Sequence, residues 1–442
     1  EKTGKNMSKN DKFCIMPFIC NHNMSSGLIK MCCITEDPIV DDFGKSYFIG
    51  NQSIDEVWNS NFMKVVRKRM LENKHLDMCK NCYQIEDAGG SSLRQEYNKQ
   101  LLEKFNDFVE EAKDNDGKIK TFPPYVELRT GNKCNSACRM CNTNDSSLIY
   151  KENLHIRHTL KDKGFDAETV QHGYNGIGNP EKIIFGPANV QMWSRVLNLD
   201  AHFDEVIENI KHIKHLTISG GEPFLLEKTP ILLEEIANKN PEMDLSINTN
   251  GSILTDKIVS ALKRIKSVRL CVSIDGYGLV QEYIRHPLKW DKIEKNLKKL
   301  YELKSSNFFL TFNITVQSFN IFNLDVLLKK LIYNYPQCHV NLSTLTNPDY
   351  LCIQNLPDAA KQSASDNNIK FCNYLKTLHF EDKYQELHKQ TMIDQLTAIN
   401  SFMIAKAYDE ELFKRLLANV KIYDHYRKQK LEDFIPDLAR HL

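Results

Sequence analysis

Between residues 122 and 373 the chain alternates short segments of period-two hydrophobicity with longer segments of helical hydrophobicity. The short segments predict strands at 125–130, 214–219, 244–249, 267–274, 308–316 and 338–345. The longer segments predict helices near 195–212, 228–239, 254–265, 288–304 and 323–334. Strands that alternate with helices form parallel β/α units, so we expect an α/β fold with a partial (β/α)6 barrel rather than the closed eight-stranded form.

The flanking segments lack this alternation. We expect five parts: a disordered lead or expression remnant at 1–12, a cysteine-bearing module at 13–95, a linker helix at 96–121, the barrel at 122–373 and a C-terminal helical region at 374–442. Within the second part, apolar residues at helical spacing predict one helix over 53–71. Within the fourth part, residues 150–195 are predicted to be an irregular insertion near the mouth of the barrel.

Each predicted strand has one polar and one apolar face, because successive side chains point to opposite sides. Helices cover the outside of a parallel barrel, so the apolar faces point outward and the polar faces line the interior. A closed barrel fills its interior with branched apolar side chains, so this pattern instead predicts a cavity for water or a polar substrate. The inward side chains then include Glu127, Arg129, Arg269, Cys271, Ser273, Asp275, Asn313 and Asn341.

Two features of this interior have simpler explanations as well. Glu127 and Arg129 could form an ion pair beneath a cofactor, but a purely structural pair or the opposite orientation of the strand would also explain them. Cys271 would lie one layer below Ser273, and a buried cysteine usually serves as a small apolar residue.

Composition and charge narrow the possible classes of protein. Hydrophobic residues make up 41% and aromatic residues 10% of the 442 residues, as in soluble globular proteins. No apolar run approaches the roughly 20 residues that span a bilayer, and no secretory signal is visible. The formal net charge of +1 gives no electrostatic case for nucleic acid. We therefore expect a cytoplasmic protein without a membrane or nucleic-acid partner.

The grouping of the thirteen cysteines indicates metal binding. Six precede residue 83, and three follow the first barrel strand in the spacing Cys134-x3-Cys138-x2-Cys141. Disulfide frameworks instead spread pairs through small secreted domains. Three thiolates in one loop suit a thiophilic metal or an iron–sulfur cluster. The alternatives are three unrelated thiols, or a zinc knuckle with a distant fourth ligand, since the nearest histidine is His155.

The next strands end in glycine-rich or polar segments. These are residues 219–223 (Ser-Gly-Gly-Glu-Pro), 248–251 (Asn-Thr-Asn-Gly) and 273–276 (Ser-Ile-Asp-Gly). The carboxyl ends of barrel strands meet at one face, where active sites are built. Two adjacent glycines let a ligand approach the backbone closely, although an ordinary strand-to-helix turn would also explain them.

Together these motifs resemble the radical S-adenosylmethionine (SAM) superfamily. The resemblance implies that Cys134, Cys138 and Cys141 hold a 4Fe–4S cluster whose fourth iron binds the amino and carboxylate groups of SAM. It implies that Glu222 binds the amino group of SAM and that Ser273 and Asp275 approach its ribose hydroxyls. Arg285 would bind the carboxylate, unless it is an ordinary surface residue. The further SAM contacts that we expect are Met140, Gly220, Gly221, Pro223, Asn248, Asn250 and Asn313.

The N-terminal cysteines resemble the auxiliary-cluster modules, called SPASM and twitch, that accompany radical SAM domains. A full SPASM module carries further cysteines after its Cys-x2-Cys pair, whereas here the next one is Cys134. The resemblance therefore implies one twitch-type 4Fe–4S cluster, placed before the barrel rather than after it. Its ligands would be Cys14, Cys32, Cys79 and Cys82, with Cys33 as the alternative to Cys32 and with no role assigned to Cys20. A zinc ribbon is the competing interpretation.

The resemblance implies an oxygen-sensitive enzyme that receives electrons from a flavodoxin- or ferredoxin-type donor. SAM would be cleaved reductively to a 5′-deoxyadenosyl radical that abstracts a hydrogen atom from a polar small molecule, and the auxiliary cluster would transfer an electron. In the lumen, Cys271 could donate a hydrogen atom, and Glu127 and Arg129 could act on the substrate. The alternatives are a peptide- or protein-modifying enzyme (crosslinking, epimerisation or oxidation) and a non-catalytic iron–sulfur or zinc protein.

Overall fold

The computed structural model describes residues 12–35, 37–160, 199–305 and 307–441. Within these residues the chain forms one eight-stranded sheet in the order β2-β1-β3-β4-β5-β6-β7-β8. The strands are β1 (Cys20–Asn23), β2 (Ile29–Lys30), β3 (Tyr125–Arg129), β4 (His215–Ser219), β5 (Asp244–Thr249), β6 (Ser267–Ser273), β7 (Phe308–Val316) and β8 (His339–Thr344). β2 is antiparallel to β1, and the other neighbouring strands are parallel.

The six strands predicted from the alternation are confirmed as β3–β8, and the predicted fold class is confirmed with them. Burial follows the pleat of the strands. In β3, for example, Val126 and Leu128 are fully buried, whereas Tyr125, Glu127 and Arg129 are partly exposed. The buried apolar side chains of the sheet form one continuous core with the surrounding helices. The polar side chains are therefore left on the inner face.

The alternation predicts neither β1 nor β2. Cys20–Asn23 is polar throughout, yet β1 pairs in parallel with β3, with Cys20 opposite Tyr125 and His22 opposite Glu127. Residues that pair in register point to the same face of a sheet. The N-terminal segment thus extends the barrel sheet beyond β3, and Cys20 and His22 face the same lumen as Glu127.

The barrel helices cover the apolar face of the sheet. They are Leu199–Glu208, Lys228–Lys239, Asp256–Arg264, Leu279–Ile284, Trp290–Glu302 and Leu324–Asn334. The second of them buries Leu232, Leu233 and Ile236, and the Thr255 side chain begins the third by accepting a hydrogen bond from Ile258 N. The five predicted barrel helices are confirmed among these with shifted ends, although the part of the first that precedes residue 199 lies outside the described residues.

The N-terminal segment adds helices with a second apolar core of their own. The helix predicted over 53–71 is in fact two, Ile54–Trp58 and Asn61–Leu71, because Ser60 begins a new helix by accepting a hydrogen bond from Met63 N. The other helices before the barrel are Met16–Ile19, Lys80–Asp87, Leu93–Leu101 and Asn106–Asp114.

Helices also flank the barrel in two further places. Ser147–Leu160 follows the cysteine loop, so the prediction of an irregular insertion is wrong for 150–160, and residues 161–195 of it lie outside the described residues. The last helices are Asp358–Thr377, Lys383–Ile404, Glu410–Arg427, Leu431–Phe434 and Pro436–Ala439. None of the helices among the described residues is long and apolar enough to span a bilayer.

Arg67 is a buried cation that holds the N-terminal helices together. Its Nε donates to Pro17 O at 2.8 Å, and its Nη1 donates to Gly117 O at 3.0 Å. The guanidinium carbon lies 4.1 Å from the centre of the Trp58 ring. Burial lowers the pKa of Arg67 to about 9. The two carbonyls and the aromatic ring compensate the charge at this position.

We predict that Arg67→Met lowers the free energy of unfolding by about 2–4 kcal/mol, because two buried carbonyl groups lose their donors. Arg69→Met is the matched control, since Arg69 is exposed and donates to His75 O. We expect it to cost less than about 1 kcal/mol. Chemical denaturation of both variants measures the difference, and equal destabilisation would contradict the role given to the buried contacts.

Candidate metal and cofactor site

The three clustered cysteines lie in the loop between β3 and helix Ser147–Leu160. Cys138 is buried, and Cys134 and Cys141 are partly exposed. Burial raises the pKa of Cys134 to about 12, and the neighbouring Cys138 adds to the rise. The pKa of Cys141 is also raised, first by burial and then by Cys138. The sulfurs are therefore close enough to repel one another as thiolates, so a positively charged group would stabilise them.

The donor chemistry of this loop is that of thiols. Ser136 Oγ lies 3.0 Å from Cys138 Sγ. Across the described residues, no three Cys, His, Asp or Glu side chains lie close enough together to ligate a single metal ion. Thiols are the ligands of iron–sulfur clusters, which hold cysteines on separate irons rather than on one atom. The residues present therefore fit a cluster.

Gly220 and Gly221 bring the end of β4 into direct contact with the start of the cysteine loop. Gly221 N donates to Gly131 O at 2.9 Å, and Glu222 N donates to Lys133 O at 2.9 Å. A Cβ atom on Gly220 would lie 2.8 Å from Gly131 O, and one on Gly221 would lie 2.8 Å from the carbonyl carbon of Lys133. Glycine is therefore required at both positions because the end of β4 packs against the start of the cysteine loop, whether or not a ligand also approaches there.

Glu222 is fully buried and ties the end of β4 to the end of β5. Its Oε1 accepts hydrogen bonds from Thr249 Oγ1 at 2.7 Å and Phe224 N at 3.1 Å, and its Oε2 accepts one from Asn250 N at 2.7 Å. Burial raises the pKa of Glu222, and these hydrogen bonds oppose the rise. A carboxylate offers about four lone-pair sites, so the three internal bonds leave one.

Asn250 attaches the cysteine loop to the end of β5. Its Nδ2 donates to Asn135 Oδ1 at 2.8 Å, and its Oδ1 accepts from Ser252 N at 2.9 Å. Asn135 Nδ2 donates in turn to Ser252 Oγ at 2.9 Å. The side chain of Asn250, expected at the cofactor, is thus engaged by the loop that carries the cysteines.

Asp275 and Arg285 form a buried ion pair beside the cysteines. Arg285 Nε lies 2.7 Å from Asp275 Oδ2, and Arg285 Nη1 lies 3.7 Å from Cys138 Sγ. Asp275 Oδ1 accepts a further bond from Thr315 N at 2.8 Å. Burial alone would lower the pKa of Arg285, but Asp275 and Cys138 raise it above its usual value. The alternative that Arg285 is an ordinary surface residue is therefore wrong, because an ion pair holds it beneath the surface.

Helix Glu410–Arg427 holds the cysteine loop from the other side. Arg427 Nη2 donates to Ala137 O at 2.7 Å and lies 2.6 Å from Glu152 Oε2. Arg139 Nη2 donates to Asp424 Oδ1 at 2.5 Å. Sequence reasoning missed these contacts, because the partners are 275 to 290 residues apart and no periodicity or spacing links them.

Comparison with known proteins agrees with this arrangement. The family model that describes the radical SAM superfamily matches residues 128–321, a range that includes the three cysteines, Glu222 and Arg285. Residues 128–321 therefore form a domain of the radical SAM superfamily. This family implies SAM and a 4Fe–4S cluster, and the thiols of the cysteine loop fit that cluster.

Individual radical SAM proteins resemble the chain more distantly. "Radical SAM cyclopropyl synthase TigE" of Paramaledivibacter caminithermalis is 27% identical over 237 residues, which are 53% of this chain and 44% of that protein. The chain thus matches less than half the length of this curated relative. SuiB of Streptococcus suis bound to S-adenosylmethionine is 16% identical over 66% of this chain and 60% of its own, with a TM-score of 0.34. Native anSMEcpe with bound AdoMet and Cp18Cys peptide is 15% identical over 57% of this chain and 60% of its own, with a TM-score of 0.33.

The remaining residues expected at SAM differ in their accessibility within the radical SAM domain. Asn248 is exposed, and Met140, Ser273 and Asn313 are partly exposed, whereas Pro223 is buried. Asn313 Oδ1 accepts a weak hydrogen bond from Asn341 Nδ2 at 3.4 Å. Among the residues expected at SAM, the accessible polar groups at the strand ends are thus Asn248 and Ser273.

Polar side chains of β5–β8 line a lumen cavity of about 850 Å³ in this radical SAM barrel. Its wall includes Ser246, Arg269, Cys271, Asn313 and Asn341. The inward orientation predicted for the last four is confirmed. Burial raises the pKa of the Cys271 thiol, so this side chain is a neutral thiol in the cavity wall.

The predicted ion pair between Glu127 and Arg129 does not form. Glu127 Oε2 pairs instead with His22 Nδ1 of β1, and Arg129 Nη1 lies 4.0 Å from Asp145 Oδ1. Two residues on the same face of one strand are about 7 Å apart, whereas a register partner on the next strand is about 5 Å away. The prediction is wrong because the sequence pattern does not reveal β1, which supplies the nearer partner.

Four of the N-terminal cysteines, Cys14, Cys20, Cys32 and Cys79, pack in the second core. Burial raises the pKa of Cys14, and Cys32 and Cys79 add to the rise. Burial also raises the pKa of Cys79 to about 12, and the neighbouring thiols of Cys32 and Cys82 add to the rise. The pKa of Cys33 is raised to about 12 by burial and then by Glu127, on the lumen side. Cys32 thus neighbours Cys14 and Cys79, whereas Glu127 is the first charged neighbour of Cys33, and the choice of Cys32 as a ligand stays a prediction.

We predict that Gly221→Ala costs about 1–3 kcal/mol of stability, because the added carbon has no space beside Lys133. The displaced loop should also lose the iron bound at Cys134, Cys138 and Cys141 after anaerobic reconstitution. Thermal unfolding together with iron and sulfide analysis measures both effects.

Gly44→Ala is the matched control for this change. Its Cβ atom would have no neighbour within 4 Å, although the positive φ of Gly44 adds about 1 kcal/mol of backbone strain. Iron content should match that of the unaltered protein in this control. Equal iron content in the two variants would contradict the dependence of the loop on Gly221.

Proposed function

We propose that this chain is a radical SAM enzyme that cleaves SAM reductively and uses the 5′-deoxyadenosyl radical to abstract a hydrogen atom from a polar small molecule. The observation that supports this most directly is the attachment of the cysteine loop to successive strand ends. Gly221 contacts the loop after β4, Asn250 after β5 and Arg285 beyond β6. Motifs that are separate in the sequence thus surround one site at the carboxyl face of the barrel, where barrel enzymes carry out their chemistry.

Cys134, Cys138 and Cys141 would hold the 4Fe–4S cluster and leave one iron for the amino and carboxylate groups of SAM. The chemistry that the bound cluster supplies is one electron, which splits SAM into methionine and the 5′-deoxyadenosyl radical. Arg285 provides a positive charge 3.7 Å from Cys138 Sγ and is kept there by Asp275. That charge favours the thiolate form of the ligands.

Glu222 is the acceptor that we assign to the amino group of SAM. Three hydrogen bonds fix its carboxylate, so the remaining lone-pair site is oriented before the ligand arrives. Asp275 has both oxygens engaged by Arg285 and Thr315. We therefore assign the ribose hydroxyls of SAM to Ser273 and Asn248, the accessible polar side chains nearby.

The substrate would occupy the lumen cavity. Its volume of about 850 Å³ falls within the range of roughly 300–1,000 Å³ that small-molecule sites have. Serine, asparagine and threonine side chains in its wall would bind the polar groups of a ligand, and Phe308, Phe309 and Leu310 would contact its apolar part. Cys271 lies in the same wall and is the residue to which we assign hydrogen-atom donation.

We also propose an auxiliary 4Fe–4S cluster on Cys14, Cys32, Cys79 and Cys82. Cys14, Cys32 and Cys79 pack in one core, and Cys82 is a close neighbour of Cys79, which supports this cluster. Arg94 supports it as well, because its charge counteracts the effect of burial on the pKa of Cys14 and Cys79. Four cysteines complete the ligand set of such a cluster, which suits electron transfer. A flavodoxin- or ferredoxin-type protein would be the electron donor.

Replacing Cys134, Cys138 and Cys141 together with Ala should abolish 5′-deoxyadenosine formation from SAM and dithionite, because no electron can reach SAM. Cys372→Ala is the control, since Cys372 is a buried cysteine on the outer helix Asp358–Thr377. This control should form 5′-deoxyadenosine at the rate of the unaltered enzyme. Chromatography of the reaction measures the product, and turnover by the triple variant would overturn the proposed function.

Replacing Cys79 and Cys82 with Ala should remove about four of about eight irons and leave SAM cleavage without substrate largely intact. Cys33→Ala should keep all the iron, because Cys33 lies on the lumen side of the module. Iron analysis and 5′-deoxyadenosine formation are measured on the same samples. Full iron in the double variant, or loss of iron in Cys33→Ala, would contradict the proposed ligand set.

A further inference from the structure

Arg269 is a cation in the wall of the lumen cavity. It lies on the inner face of β6 and is exposed, and its side chain forms no hydrogen bond or ion pair with the described residues. Neutral polar side chains surround it, including Ser246, Cys271 and Asn313. We propose that Arg269 binds an anionic group of the substrate, either a carboxylate or a phosphate. This inference rests on the proposed function, since it takes the cavity as the substrate site.

The two other charged side chains of the cavity wall form hydrogen bonds within the protein. They are Lys304 and Asp382, and both are held by Gln337. Lys304 Nζ donates to Gln337 Oε1, and Gln337 Nε2 donates to Asp382 Oδ2 at 3.0 Å. His339 also lies in the wall, and burial followed by the charge of Arg269 lowers its pKa, so it is neutral near pH 7. Gln337 thus bridges two side chains of opposite charge, whereas the side chain of Arg269 has no such partner among the described residues.

The register of the sheet places Arg269 in a row of polar residues across the lumen. Arg269 pairs with Ser246, Ser246 with Thr217, and Thr217 with Glu127. Neighbouring strands are about 4.8 Å apart, so three strand spacings separate Arg269 from the Glu127 carboxylate along the sheet. An anion at Arg269 would therefore have the hydroxyl of Ser246 beside it as a hydrogen-bond donor. The carboxylate of Glu127, which would repel the anion, lies three strands away on this row.

The depth of Arg269 limits the dimensions of the substrate. Arg269 precedes Ser273 by four residues, which is about 13 Å along β6 at about 3.3 Å per residue. The anionic group and the reacting carbon would be separated by roughly this length. The span fits a phosphorylated or carboxylated metabolite, or the C-terminal residues of a peptide. The guanidinium can bind either kind of group through two parallel hydrogen bonds.

Alkylation of Cys271 tests this inference without SAM or turnover. Cys271 is two residues from Arg269 on the same face. Iodoacetate and iodoacetamide both form an S–C bond, expel iodide and release the thiol proton to the buffer, but iodoacetate alone carries a carboxylate. Mass spectrometry of the anaerobically reconstituted protein gives the ratio of the two rates at Cys271 relative to the same ratio at Cys372. Changes in the thiolate fraction cancel in this ratio.

We expect the ratio of the iodoacetate rate to the iodoacetamide rate at Cys271, relative to that at Cys372, to fall about tenfold in Arg269→Gln. The reason is that the carboxylate of iodoacetate loses one hydrogen bond between charged groups. Arg269→Lys keeps the charge and should retain most of the preference. Lys266→Gln is the control, because Lys266 also lies next to β6 but pairs with Glu242 in solvent. It should leave the ratio unchanged.

Competition distinguishes the two anion sources. Inorganic phosphate, or acetyl-tetraglycine with a free carboxylate, should slow iodoacetate at Cys271, and acetyl-tetraglycine amide should not. Protection by phosphate alone indicates a phosphorylated substrate, and protection by the peptide acid alone indicates a carboxylate.

If Cys271 reacts with neither reagent, equilibrium dialysis with radiolabelled phosphate and peptide acid replaces the assay. An unchanged ratio in Arg269→Gln, or no saturable binding of either anion, would overturn the inference. Continued 5′-deoxyadenosine formation would then show that the proposed function itself still holds.

Discussion

Backbone atoms of residues 131–133 occupy the space where side chains at 220 and 221 would otherwise lie. This close approach sets the position of the cysteine loop over the sheet, and the side-chain contacts of the site follow from it. Only with the loop in this position does Asn135 reach Asn250, and Cys138 reach Arg285. The site is therefore built first by contact between two backbones and then by the polar side chains around them.

The features that could be predicted from the sequence depend on local pattern. Alternation of polar and apolar residues reflects which face of a strand meets the helices, so it predicted β3–β8 and the inward orientation of Cys271, Asn313 and Asn341. The spacing of the cysteines is equally local. These signals do not depend on knowing which other segment of the chain lies nearby.

The features that were missed depend on partners from distant segments. Glu222 and Asp275 could be recognised as polar residues at strand ends, but not as side chains whose oxygens bind Thr249 and Arg285. The pairing of Glu127 required β1, a four-residue polar strand that has no pattern of its own. A short strand of this kind gains its stability from the sheet that it joins rather than from its own sequence.

The shared sheet joins the N-terminal cysteine module to the barrel lumen. Cys20 and Cys33 belong to the N-terminal segment, yet Glu127 of β3 is the first charged neighbour of each thiol after burial. The two cores of the protein thus meet along β1 and β3. A change in the N-terminal segment would reach the lumen through this boundary.

The contacts of the last long helix also constrain the order in which the site is assembled. Arg427 binds the carbonyl of Ala137, and Asp424 binds Arg139, across 290 and 285 residues. Protein chains emerge from the ribosome with the N-terminal segments first. The cysteine loop is therefore synthesised long before the helix that completes its surroundings. Its final geometry has to wait for helix Glu410–Arg427, so a cluster would enter a finished loop only after that helix has been synthesised.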